Sequence, residues 1–200
     1  MSRLITFGSS VTKGFDLPDQ WAKHDYSNIR PSIYAWPNVL NNLLKTDTLL
    51  NLAENGENNL SILYKVLNFN WQEKDICIIG WGYFYRSETL KLRYNVLPLF
   101  TNTDPNNIDV DDNAIKNYLY IQHTHLYLRS INVQSFGLKT LDDFDRNKCP
   151  DYIKIPELLD DSGIENCYVD LANDKHHPGV ESHELYAKKI YERIKDYVIH

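Results

Sequence analysis

Ser9, Ser10 and Thr12 follow directly on Arg3-Leu-Ile-Thr-Phe7, a β-rich run that stops at Gly8. A hydroxyl there is a weak nucleophile until a base takes its proton. The far end of the chain offers such a base, and a carboxylate to orient it, in Asp174-Lys-His-His177-Pro178. A Ser, a His and an Asp brought to one rim form a hydrolytic triad. On residue types alone a second reading stays open, in which Ser9 and Ser10 only shape a turn and His177 is a solvated loop residue. Other candidates are Gly56 and Asn58 in the polar turn Glu54–Asn59, Trp81 and Gly82 after an apolar run, and Arg86 just beyond. Arg86 suits a carboxylate, a phosphate or a sugar hydroxyl, or equally an ion pair with Glu88. Trp81, like Tyr34 and Trp36, is suited either to stacking on a sugar ring or to packing a loop on a sheet. His183 lies where it would brace the last helix from within.

These candidates need elements to bring them together. Arg3–Phe7 and Thr48–Leu52 read as strands, and Asp75–Gly80, apolar without alternation after its first residue, reads as a buried central strand. Val133–Leu138 and Ile164–Leu171 complete the expected set. A helix is expected to begin near Pro37 and to bury Val39, Leu40, Leu43 and Leu44. Asn58 or Asn59 would cap a second helix that buries Leu60, Leu63, Val66 and Leu67. A short helix is expected over Arg86–Arg93, a polar loop over Thr101–Asn113 and a long helix over Ala114–Ile131. The final helix would line one side with Tyr186, Ile190, Ile194 and Tyr197. Strands alternating with helices imply parallel βαβ units, whose ligands bind at the carboxyl ends of the strands. The turns Gly8–Gly14, Ala53–Asn59, Gly80–Arg86 and Asn173–His183 should therefore meet at one rim.

Composition narrows the function. A formal net charge of −6 argues against a broad basic face for nucleic acid. The three cysteines, at positions 77, 149 and 167, have no CxxC spacing, which fits a reducing compartment. No apolar run approaches the roughly 20 residues of a membrane helix, and Met1-Ser-Arg-Leu-Ile-Thr-Phe lacks the apolar core of a signal peptide. Cytoplasmic synthesis without a membrane partner is the expectation. Gly8-Ser-Ser-Val-Thr-Lys13-Gly14 has the wrong order for a phosphate loop. Asp109, Asp111 and Asp112 lack the glycine and distal Glu of a calcium loop. His123 and His125, two apart on a helix, face different ways and make a poor metal pair.

Phe7-Gly-Ser-Ser-Val-Thr-Lys-Gly14 resembles the nucleophile block of the SGNH/GDSL hydrolase family, G-D-S-x-T-x-x-G or a near variant. Asn51-Leu-Ala-Glu-Asn-Gly-Glu-Asn-Asn59 resembles its second block, whose glycine donates a backbone N–H. Asp174-Lys-His-His-Pro178 resembles the last block, D-x-x-H-P. The blocks come in family order and span nearly the whole chain. Trp36-Pro37 and Gly80-Trp81 with Arg86-Ser-Glu88 are similar to SGNH-like proteins of bacteriophages. The resemblance implies one domain over residues 1–200, a three-layer α/β/α sandwich with a mostly parallel, flavodoxin-like central sheet. It implies Ser10 as nucleophile, His177 as base rather than His176, and Asp174 as its orienting carboxylate. Backbone N–H groups of Ser10 and Gly56 would face the oxyanion. Two positions depart from the family. Ser9 replaces the Asp before the nucleophile, and Gly80-Trp-Gly-Tyr83 replaces the G-x-N-D block. Losing one oxyanion donor costs on the order of 10²–10³ in rate. The Gly82 N–H is the positional replacement, with the Trp81 indole, Asn58 and Asn59 as others. Arg86, Trp81 and Asn58 are the expected substrate contacts. The implied activity is hydrolysis of an acyl ester, with an O-acetylated carbohydrate preferred over a lipid and no metal or organic cofactor. The rival expectation keeps the fold but makes it a noncatalytic binding or virion-associated module.

Overall fold

A computed structural model describes residues 2–20, 30–82, 88–91, 99–102, 110–139, 155–159 and 167–198. Strand β1 (Arg3–Gly8) leads into a one-turn helix α1 (Ser10–Lys13), and helix α2 (Trp36–Leu44) follows. Strand β2 (Thr48–Asn51), helix α3 (Asn59–Leu67) and strand β3 (Asp75–Trp81) come next. A short antiparallel pair, β4 (Glu88–Lys91) with β5 (Leu99–Asn102), precedes helix α4 (Val110–Ser130). Strands β6 (Gln134–Lys139) and β7 (Leu158–Leu159) and helix α5 (Val180–Ile194) complete the described elements.

The main sheet runs β2-β1-β3-β6-β7, with every pairing parallel. Counting only its own strands, the order is 2-1-3-4-5, the doubly wound arrangement. The register pairs Leu4 with Ile76, Ile5 with Cys77 and Gly8 with Gly80. Alternation along each strand then divides the core. Leu4, Ile76, Ile78, Phe136 and Leu138 pack with Trp36, Leu40, Tyr186, Ile190 and Ile194 of α2 and α5. Ile5, Phe7, Cys77, Ile79 and Trp81 pack with Ile62 and Val66 of α3 and Tyr118, Ile121 and Leu128 of α4. Two helical layers thus enclose the sheet, as the sequence implies. Every residue of β3 is buried, as a strand covered on both faces requires.

Several local expectations are corrected. Helix α3 buries Asn59, Ile62 and Val66 and leaves Leu67 exposed, so its inward face is turned from the expected one. Glu88–Lys91 lies in a strand rather than in a helix, and residues 101 and 102 belong to its partner strand rather than to a loop. Thr89-Leu90 opposite Phe100-Thr101 is a β-branched and aromatic composition suited to pairing. The last strand of the sheet is Leu158–Leu159, not Ile164–Leu171. Of that stretch, residues 164–166 lie outside the described residues, and Leu171 makes only an isolated bridge to Pro178. Tyr197 is exposed, and Val198 turns inward in its place. Cys77 and Cys167 are buried, and Cys149 lies outside the described residues. Among the described residues no helix is long and apolar enough to cross a membrane.

Candidate active site

The sheet order reverses between β1 and β3, and ligands of open α/β sheets bind at the carboxyl ends of strands beside such a reversal. Gly8 ends β1 there at φ 153°, opposite Gly80. A Cβ on Gly8 would stand 2.3 Å from Thr12 Oγ1 and 2.8 Å from the Gly80 carbonyl. Only glycine lets the strand turn this sharply into α1. Ser9 caps the helix in an extended conformation, and Ser10 is its first residue. Ser10 therefore presents an N–H that no carbonyl of the helix can take. Gly14 closes the helix in the left-handed conformation, and its N–H reaches the carbonyls of Ser10 and Val11. A Cβ on Gly14 would crowd Ala35, Leu17 and Ser32, so the loop over residues 32–35 seats directly on this turn. Asn51 Nδ2 donates to the Thr12 carbonyl and ties α1 to the end of β2.

The second rim segment begins where the Glu54 N–H donates to the Gly8 carbonyl at 3.0 Å. A turn closed by Glu57 N–H to Glu54 carbonyl carries Gly56 at φ 71°. Space around Gly56 is open, since a Cβ there would meet nothing within 4 Å. Asn58 ends the turn as the cap of α3, its Oδ1 accepting from the Ser61 N–H.

The third segment, from Asp170 to Gly179, is a hairpin closed by Ala172 N–H to His177 carbonyl and Gly179 N–H to Asp170 carbonyl. Within it Asp174 Oδ1 accepts the amides of His176 and His177, both at 3.0 Å. Asp174 Oδ2 stands 2.5 Å from His177 Nδ1, and His177 Nε2 stands 2.9 Å from Ser10 Oγ. A carboxylate accepts only, so Nδ1 carries the proton and Nε2 is left to accept from the serine hydroxyl. Burial works to raise the Asp174 pKa, but the two amides and the imidazole outweigh it and hold the carboxyl below its usual range. The Phe15 ring lies 5.1 Å from the imidazole. His177 and Asp174 keep 26% and 21% of their side-chain surface exposed, so the chain of bonds opens to solvent. His176 is exposed and joins the network only through its amide.

Other expected contacts fall elsewhere. Trp81 is 1% exposed and packs edge-on against His125, so it has no face for a sugar. Asn58 is 2% exposed, and its side-chain oxygen is taken by the helix it caps. The Gly82 N–H, the expected substitute for the family Asn, donates to Asn59 Oδ1 at 2.8 Å. The Asn59 amide in turn faces the Gly82 carbonyl and Asn117 Oδ1. This buried network joins β3 to α3 and α4, and it takes up the Gly82 N–H. Arg86 lies outside the described residues. His183 braces α5, as expected, because its Nδ1 accepts the Trp36 N–H at 3.1 Å. Among the described residues no group of three or more His, Cys, Asp or Glu is placed to hold a metal.

Two clusters escaped the sequence reading. Glu57, Ser61 and Lys65 join behind the Gly56 turn, and their four-residue spacing was the available signal. Asp170 holds the start of α5 through the Glu181 and Ser182 amides and the Ser182 hydroxyl. Nothing local in the sequence announces that contact.

No protein-family model matches the chain, and no curated protein does. Solved structures do. A lipolytic protein of the G-D-S-L family from Desulfitobacterium hafniense superposes with a TM-score of 0.60 at 12% identity, over 96% of this chain and 99% of that one. TesA superposes at 0.59 with 12% identity, over 98% and 99%. The acetyl xylan esterase Est2A from Butyrivibrio proteoclasticus gives 0.59 and 15%, over 98% of this chain but 64% of the larger enzyme. The chain has the α/β sandwich fold of the GDSL lipolytic hydrolases and esterases.

Proposed function

We propose that this protein is a serine ester hydrolase of the SGNH/GDSL type. The observation that carries the reading is the continuous hydrogen-bond chain from Ser10 Oγ through His177 to Asp174, at the reversal point of a sheet whose relatives in fold are esterases. Ser10 Oγ attacks the ester carbonyl as His177 Nε2 takes its proton, and Asp174 stabilises the imidazolium. The tetrahedral oxyanion faces the N–H groups of Ser10 and Gly56. His177 then protonates the departing alcohol, and water activated by the same nitrogen releases the acid from the acyl-serine. No step needs a metal.

An O-acetylated carbohydrate is the preferred substrate class. Its support is the fold shared with an acetyl xylan esterase and with a carbohydrate esterase, and the Phe15 ring beside the His177 imidazole. Trp36-Pro37 and the Gly80-Trp81 and Arg86-Ser-Glu88 segments favour a bacteriophage setting, with a host glycan as the ester's carrier. A second reading, an SGNH-fold binding module, draws on one observation. The family Asn is missing and the Gly82 N–H is committed to Asn59, which leaves two of the expected oxyanion donors among the described residues.

Hydrolysis of p-nitrophenyl acetate near neutral pH, with labelling by a serine-directed phosphonate, tests the proposal. Activity and labelling are expected in the wild type and absent in Ser10→Ala, with both folded by circular dichroism. A wild type that neither hydrolyses nor labels above Ser10→Ala would replace the esterase with the binding module.

A further inference from the structure

The Gly56 turn rests on a buried charge. Glu57 is 6% exposed, and its Oε1 accepts from Ser61 Oγ at 2.8 Å and from Lys65 Nζ at 2.6 Å. The same ammonium reaches the Leu52 carbonyl at 3.2 Å and Glu54 Oε1 at 3.1 Å. Lys65 thus grips the chain on both sides of Gly56, at residues 52 and 54 before it and at residue 57 after it. Backbone bonds hold residues 52–57 from Leu52 to Thr6, from Glu54 to Gly8 and from Glu57 to Glu54, and none of those described is made by the Asn55 or Gly56 amide. Helix α3 gains little from the pair, because Asn58 already caps its first turn. A buried carboxylate with an ammonium is weak grounds for stability, since apolar residues of similar volume would often serve as well. Burial pushes the Glu57 carboxyl up, Lys65 and Ser61 pull it back toward ionisation, and the Glu54 charge works with burial. What the arrangement supplies is a fixed path for residues 52–57, in a place where a glycine at φ 71° would otherwise give the backbone wide freedom.

We propose that Glu57 and Lys65 are positioning residues that hold the Gly56 N–H toward the oxyanion. The inference rests on the esterase reading and adds to it the device that keeps a two-donor oxyanion hole aligned. With the Gly82 donor committed elsewhere, a misdirected Gly56 N–H leaves only the Ser10 amide among the expected donors of the described residues.

The test compares the wild type, Glu57→Gln and Lys65→Arg. Glu57→Gln keeps the shape and a hydrogen bond to Ser61 but removes the charge. Lys65→Arg keeps the charge and can restore the grip. Two readouts are needed: kcat and KM on p-nitrophenyl acetate, and the ¹⁵N order parameter of Gly56 in the unliganded protein. In Glu57→Gln, kcat should fall on the order of tenfold, a part of the 10²–10³ that complete loss of a donor costs. KM should stay within about twofold, because the interaction is made in the transition state. The Gly56 order parameter should drop from about 0.85 toward 0.6. Lys65→Arg should stay near the wild type in both readouts. An active Glu57→Gln with unchanged kcat, or with an unchanged Gly56 order parameter, would overturn the positioning role and leave the esterase reading standing. A wild type without hydrolysis or labelling would overturn the esterase reading and the oxyanion role together, whatever the order parameter.

Discussion

At the residue scale the geometry separates two adjacent histidines that the sequence leaves side by side. The His177 ring lies between Asp174 and Ser10, whereas His176 contributes its amide alone. His177→Ala should therefore abolish p-nitrophenyl acetate hydrolysis, while His176→Ala should stay within about twofold of the wild type. The reverse pattern would move the base to His176. Asp174→Asn is a sharper test of the carboxylate. Asparagine keeps an acceptor for the two amides but cannot fix the Nδ1–H tautomer by charge. A fall in kcat on the order of 10⁴ is expected. The meeting of Ser10, Asp174 and His177 was legible because each lies in a short motif at the end of a recognisable element; their catalytic roles belong to the proposal. Gly82 was not legible in the same way. The direction of its N–H is set by the Asn59 amide, a contact between β3 and α3 that no local spacing encodes.

At the element scale the start of α5 decides where the hairpin with Asp174 and His177 stands. Asp170 takes the Glu181 and Ser182 amides, and the Gly179 N–H returns to the Asp170 carbonyl. A Cβ on Gly179 would lie 2.2 Å from Asp170 Oδ2, although the backbone there is ordinary, with φ −83°. Gly179→Ala must push the carboxylate off the helix. A loss of about 1–3 kcal/mol is expected from such overpacking, read as a lower urea midpoint with an unchanged slope. An unchanged midpoint would show that the carboxylate moves aside freely. The same contact explains why the expected strand over Ile164–Leu171 fails at its described end. Its apolar pattern suggested a sheet, yet Val169 and Leu171 are 61% and 53% exposed, and Asp170 caps a helix instead of joining a ladder. The inner strands were legible, since β1 and β3 are apolar runs that stop at or near glycine. The inward face of α3 was misread because a buried polar residue, Asn59, occupies a position that an apolar template would not choose.

At the scale of the whole molecule, two buried histidines on opposite sides of the sheet couple folding to pH. His183 in α5 accepts the Trp36 N–H, and His125 in α4 stands 2.8 Å from Ser135 Oγ. Burial lowers the His183 pKa to about 3; Asp170 works to raise it and His177 to lower it. Burial lowers that of His125 to about 4, with Glu157 raising it and Arg129 lowering it. Both histidines bind a proton more readily in the unfolded chain, near 6.5, than in the fold. The unfolded state then holds more protons in the window from 6.5 down to each folded value, so stability falls as the solution is acidified through that window. Each histidine contributes up to about 1.4 kcal/mol per pH unit there. Asp170 and Asp174 act separately. Burial works to raise both, but hydrogen bonds hold them below the usual carboxylate value, so their contribution is present above about pH 4 and is lost only below it. Urea midpoints measured between pH 7.5 and 4.5 should therefore decline from about pH 6.5 in the wild type. His183→Asn keeps an acceptor for the Trp36 amide without the titration, and should remove roughly half of that slope. Ser10→Ala should leave the slope intact, because it alters the rim and not the helix layers. A wild-type profile flat to pH 4.5, or a slope untouched in His183→Asn, would show that the acid response does not arise from these buried rings.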